Sequence, residues 1–235
     1  MKKKTVALSA AAVLTAIPAA AVCIGAINNL HLVAEPEEGK IRVACVGDSI
    51  TYGFLVAGQP FNSYPAQLEK LLGPAYAVGN FGYSDRTAQK EADRPYIKES
   101  LFEKSIAYAP DIVVLMLGTN DTKPANWDAA AYERDLADLV RCYKALPSSP
   151  AVYLLTPPPL FPVGEKVWGL QADVLEEDVL PAVARVAEAE DVPCIDVHGI
   201  FEDCKEYFPD GCHLNAKGAK LLAQTVASRI LRDAL

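Results

Sequence analysis

Residues Asp111-Ile112-Val113-Val114-Leu115-Met116-Leu117 restrict the fold more than any other stretch: six consecutive apolar positions end abruptly at Gly118-Thr119-Asn120-Asp121. A strand that is apolar on both faces has to be covered on both sides, and a parallel sheet with helices above and below does this. The surrounding pattern agrees, because from Ile41 onward short β-rich runs alternate with longer helical periodicities, as successive βαβ units do. Strands are expected over 42–46, 76–78, 111–117, 151–155 and 192–197. Helices are expected over 63–72, closed by Gly73-Pro74, over 97–108, from the capping Asp128 to 146, over 172–190 with a kink at Pro181, and over 215–235. No internal repeat interrupts 41–235. The fold class expected is α/β, a three-layer α/β/α sandwich around a five-stranded parallel sheet, with one domain over 41–235.

The 30 acidic residues outnumber the 22 basic ones, giving a net charge of -8, and Lys2-Lys3-Lys4 is the only basic cluster. That balance excludes a nucleic-acid partner recognised through its phosphates. The same three lysines precede an uncharged run from Thr5 to Ile27, so 1–27 reads as an export signal, either cleaved or kept as a membrane anchor, which would be the one route to a membrane. Residues 28–40, with Glu35, Pro36, Glu37 and Glu38, read as an acidic linker. An exported or surface-anchored location follows. Of the five cysteines beyond the signal, Cys45 and Cys194 lie in apolar strands, while Cys204 and Cys212 bracket a short loop and are the expected disulfide pair. No cysteine or histidine spacing suits zinc, and no metal is expected.

Chemistry concentrates where strands end. Ser49, in Gly47-Asp48-Ser49-Ile50-Thr51, follows the first strand, where open α/β sheets place their ligands. Serine needs a base, an orienting group and oxyanion donors to act as a nucleophile. His213 is the expected base and Asp210, three residues earlier, the group that fixes its tautomer. The backbone N–H groups of Ser49 and Gly82, with the side-chain amide of Asn120, are the expected oxyanion hole, each donor contributing about 2.7–4 kcal/mol at the transition state. Asp196 and His198, on the same side at the end of the fifth strand, form the competing pair. Asp121 is read as a cap on the segment that follows it.

The four blocks Gly47-Asp48-Ser49, Asn80-Phe81-Gly82, Gly118-Thr119-Asn120-Asp121 and Asp210 with His213, in that order, resemble those of the GDSL/SGNH hydrolases over 41–235. The resemblance implies a flavodoxin-like sandwich and hydrolysis of esters or thioesters through serine, with no metal and no cofactor. Thr51 stands where the second glycine of an α/β-hydrolase elbow would be, which separates this chain from that fold. Within the family the pattern looks most like carbohydrate esterases that remove O-acetyl groups from sialic acid, xylan or pectic sugars. A lysophospholipase or thioesterase is the alternative enzyme, and a non-catalytic glycan-binding module the alternative of another class. The partner expected is a small-molecule or oligosaccharide ester. Trp127, Trp168 and Phe161 are candidates to stack on sugar rings, or else to pack in the core, and Arg86 and Arg94 to meet an acidic sugar.

Overall fold

The computed structural model describes residues 38–162 and 168–234. Five strands, β1 Ile41–Gly47, β2 Tyr76–Gly82, β3 Ile112–Met116, β4 Ala151–Leu155 and β5 Cys194–Ile195, pair in parallel in the order β2-β1-β3-β4-β5. The helices are α1 Ser49–Tyr52, α2 Gln59–Asn62, α3 Tyr64–Leu72, α4 Ser100–Ala107, α5 Ala129–Lys144, α6 Ala172–Val174, α7 Leu180–Ala189, α8 Val197–Phe201 and α9 Ala216–Asp233. Strand order reverses at β1, with β2 on one side and β3 on the other, so a crevice opens between the carboxyl ends of β1 and β3.

The sheet separates two hydrophobic cores, and alternation along each strand assigns side chains to them. In β3 and its continuation, Val113, Leu115 and Leu117 join Tyr132, Leu136 and Val140 of α5 and Val183 and Val186 of α7. Val114 and Met116 face the other way, onto Leu68 of α3 and Leu222, Val226 and Ile230 of α9. This is the three-layer sandwich expected from a strand apolar on both faces.

Local chemistry places the elements close to their expected limits. Asp128 Oδ1 accepts the Ala131 N–H at 2.9 Å to cap α5, and Asn215 Oδ1 accepts the Lys217 and Gly218 N–H groups at 3.0 Å each to cap α9; such caps contribute about 1 kcal/mol each. Pro181 does perturb its helix, through a π-helical segment at Leu175–Val179 between α6 and α7. The wider turn accommodates a residue that lacks an N–H and whose ring would strike the carbonyl four residues back. Two strands depart from expectation. β2 runs on through Gly82, which pairs with Gly47. β5 shrinks to Cys194 and Ile195, because Pro193 has no N–H to donate and Asp196 turns out to cap α8, its Oδ1 accepting the Gly199 N–H at 2.9 Å.

The expected signal or anchor over 1–27, and the linker as far as residue 37, lie outside the described residues. Among the described residues no helix is long and apolar enough to cross a membrane.

The expected Cys204–Cys212 disulfide is not formed: both thiols are free, as are Cys45, Cys142 and Cys194. The sheet keeps the pair apart. Cys212 is buried in one core, whereas Cys204 packs against the other and points its Sγ at the Ile200 carbonyl, 3.6 Å away. Titration of the denatured, unreduced domain 38–235 should therefore count the five thiols just named, and a count lower by two would restore the bridge.

Candidate active site

Ser49 opens α1 directly beyond β1. Asp48 caps the helix, its Oδ1 accepting the Ile50 N–H at 2.9 Å, and Gly53 closes it at φ 90°. The helix lies hard against the sheet. A Cβ on Gly47 would meet Thr51 Oγ1 at 2.3 Å and the Met116 carbonyl at 2.5 Å, and a Cβ on Gly82 would meet the Tyr52 nitrogen at 2.2 Å. Any side chain at either position would push α1, and Ser49 with it, off the sheet.

His213 arrives from the loop before α9. Gly211, at φ 82°, permits a tight turn in which Asp210 Oδ1 accepts the backbone N–H groups of Cys212 (3.0 Å) and His213 (2.7 Å). The Phe161 N–H pins the turn by donating to the Gly211 carbonyl at 2.8 Å. Asp210 Oδ2 then lies 2.7 Å from His213 Nδ1, and His213 Nε2 lies 2.9 Å from Ser49 Oγ. An ionised carboxylate only accepts, so the ring proton sits on Nδ1 and the Nε2 lone pair faces the serine hydroxyl. Burial raises the Asp210 pKa, but the bonds from the His213 ring and from the backbone N–H groups of His213 and Cys212 outweigh it and hold the carboxyl well below its usual range. Such a chain of groups can move a proton from Ser49 to His213 and stabilise the imidazolium that forms. Phe54 and Trp168 flank the imidazole, with ring centroids 4.7 Å and 5.5 Å from it.

Asn120 follows β3 in the 3₁₀ turn Asn120–Thr122. Its Nδ2 donates to Asp48 Oδ2 at 3.3 Å and to the Arg86 carbonyl at 3.1 Å, which places the amide beside the Ser49 helix with both hydrogens engaged. The Ser49 N–H is among the donors that a helix N-terminus leaves without intrahelical acceptors. The Gly82 N–H donates to Asn80 Oδ1 at 3.0 Å, so, like the Asn120 amide, it has to leave an acceptor to meet an oxyanion, and its missing side chain also makes room for α1.

The other candidates divide. Trp168 is at the site, with its Nε1 donating to Asp210 Oδ2 at 3.1 Å. Trp127 is not: it packs on the core against Tyr132, ring centroids 5.5 Å apart, and Phe161 does the same on the opposite face of the sheet, 5.0 Å from Phe208. Arg86 is buried and committed elsewhere, with its guanidinium bonded to Glu99 Oε1 at 2.7 Å and lying 3.8 Å over the Tyr83 ring. Arg94 pairs with Asp85 at 3.2 Å. Asp121 is no helix cap: its carboxylate accepts the Ala88 and Gln89 N–H groups at 3.0 and 2.9 Å and ties the loop after β2 to the end of β3. Asp196 and Thr156 instead cap α8, in which His198 lies, with Thr156 Oγ1 accepting the Val197 and His198 N–H groups at 2.8 and 3.0 Å.

Phe54, which nothing in the sequence but its distance of five residues from Ser49 marks, and the strained turn at Asp85 also belong to the site. Asp85 holds φ 69° without being glycine, is anchored by Lys123 and Arg94, and immediately precedes the carbonyl that orients Asn120. Among the described residues no group of three or more His, Cys, Asp or Glu side chains is placed to hold a metal ion.

Two acids beneath the site carry a pH signature. Burial raises Asp48 to about 7 and Asp121 to about 6, against an ordinary value of 3.8, only partly offset by their N–H bonds. Both bind protons in the folded state that they release on unfolding, so their contribution to stability is complete below about pH 4 and is lost as the pH rises to about 7. Asp210, depressed, acts with the opposite sign and only below about pH 4. The urea midpoint should fall between about pH 5 and 7.5, and Asp48→Asn should shrink that fall; an unchanged slope in the variant would contradict the assignment.

The sequence model of the GDSL-like lipase/acylhydrolase family matches residues 45–221. An acetylxylan esterase of Xylanibacter ruminicola is 35% identical over 222 residues, covering 86% of this chain and 46% of that protein. A multidomain esterase of Ruminococcus flavefaciens is 27% identical, covering 77% of this chain and 27% of the relative, so the chain spans less than half the length of the curated relatives it matches. Among solved structures, a carbohydrate acetylesterase from Sinorhizobium meliloti superposes with a TM-score of 0.66 at 22% identity, covering 82% of this chain and 99% of its own, and shares the fold. With a match that takes in all four strand-end blocks, the chain belongs to the GDSL-like lipase/acylhydrolase family.

Proposed function

We propose that this protein is an exported serine esterase that removes O-acetyl groups from carbohydrate. The observation that carries the reading is the unbroken path Ser49 Oγ, His213 Nε2, His213 Nδ1, Asp210 Oδ2, with links of 2.9 and 2.7 Å. Ser49 attacks the ester carbonyl as His213 takes its proton, and Asp210, held ionised by its own turn, stabilises the imidazolium. His213 then protonates the departing sugar oxygen, which leaves as the hydroxyl, and water, activated by the same imidazole, releases acetate. The negative oxygen of the tetrahedral intermediate is met by the Ser49 N–H, and by the Gly82 N–H and one hydrogen of the Asn120 amide as each leaves its present acceptor.

Support for acetate as the acyl group comes from the two rings that crowd the imidazole, Phe54 and Trp168, and from the names of an acetylxylan esterase and a carbohydrate acetylesterase among the similar proteins. Export is supported by Lys2-Lys3-Lys4 and the uncharged run behind them.

Acetate release from acetylated xylan, sialic acid and pectin fragments tests the reading. Wild type should release acetate from at least one of them. Ser49→Ala should abolish release, and Asp210→Asn should lower kcat/KM by roughly 10²–10⁴-fold by removing the acceptor that fixes the His213 tautomer. Nitrophenyl esters should be cleaved far faster as acetate than as octanoate; the reverse order would sink the carbohydrate reading in favour of a lipid or thioester substrate.

A further inference from the structure

We infer that Trp168 is a positioning residue, acting on His213 through Asp210; the inference rests on the esterase reading of the same site. Asp210 Oδ1 is held by two N–H groups of its own turn, but Oδ2, the oxygen that meets His213 Nδ1 at 2.7 Å, has a second donor from a distant part of the chain, Trp168 Nε1 at 3.1 Å. Both carboxylate oxygens are thereby fixed, and neither can rotate away from the imidazole. The indole also meets the imidazole edge-on, centroids 5.5 Å apart at 85°, and meets Phe54 edge-on at 6.1 Å, while Phe54 lies 4.7 Å from the imidazole. Two rings brace each other and the base.

Core packing does not explain this tryptophan. It is 57% exposed and holds a left-handed φ of 52°, a combination that gives up apolar burial and backbone comfort together. What the strained backbone secures is the direction of the indole N–H. That bond has an electrostatic consequence as well, because it shares the charge on Oδ2 between indole and imidazole. The titratable groups around the imidazole are Asp210 and Cys212 on its own turn, and Asp48 with the Ser49 hydroxyl at the end of β1. Phe54 and Trp168 add no charge of their own. Replacing Trp168 by phenylalanine thus keeps a ring at the site and removes one hydrogen bond from Oδ2, whose undivided charge then favours the imidazolium.

The test compares full-length wild type, Trp168→Phe and Trp168→Ala on nitrophenyl acetate across pH, with thermal unfolding as the control for folding. Trp168→Phe should lower kcat roughly 3- to 30-fold, leave KM within about twofold because a ring still stands beside the imidazole, and move the acid limb of kcat/KM to higher pH by several tenths of a unit. Trp168→Ala should do at least as much. NMR titration of the His213 ring, one of 3 histidines, should move the same way without any substrate. A Trp168→Phe protein with wild-type kcat and an unmoved acid limb, or one that loses only thermal stability, overturns the inference. Should wild type hydrolyse no ester at all, the esterase reading falls by itself, and the NMR titration still decides this one: an unmoved midpoint refutes it.

Discussion

The close seating of the four-residue helix α1 on the sheet is the constraint from which the site follows. Gly47 and Gly82 are partners in the β1–β2 register, and both leave out the Cβ that the backbone or side chains of α1 would strike. The helix can then begin immediately after β1, over the crevice where strand order reverses, and present Ser49 there. An alanine at either glycine would demand a shift larger than a hydrogen bond tolerates, so backbone sterics set the position of the hydroxyl before any catalytic partner is considered.

That partner comes from 164 residues further along the chain. The Asp210 turn makes its own geometry locally, through Gly211 and two backbone N–H bonds, and needs only to be carried to the right place. The cap of α9 by Asn215 and the bond from Phe161 to Gly211 do this, joining the turn to the helix behind it and to the segment after β4.

Three carboxyl groups near the site show how surroundings divide one chemical type into different states. Asp210 receives two backbone N–H groups, an imidazole and an indole, and stays ionised despite burial. Asp48 receives one backbone N–H and an amide at 3.3 Å, too little to offset complete burial, and is raised to about 7. Asp121 lies between, at about 6, with two backbone N–H bonds. The number and quality of donors, set against burial, decides the order.

The sequence by itself determined the fold class and the main elements, because these depend on periodicities and caps within one segment: the doubly apolar 111–117, the cap Asp128, and the break at Pro181. It also determined which strand-end blocks carry Ser49, Asn120, Asp210 and His213, since residue type and position beside a strand are both visible in one dimension. Only the tertiary structure decided what each neighbour does. Gly82 is visible in sequence as a strand-end glycine, but that α1 fills the space where its side chain would stand is not. Trp127 and Trp168 are the same residue type, one packed on the core and the other bonded to Asp210. Cys204 and Cys212 are eight positions apart, yet they belong to opposite faces of the sheet. In each case the deciding contact joins residues that sequence distance does not relate, and such contacts exist only once the layers have packed.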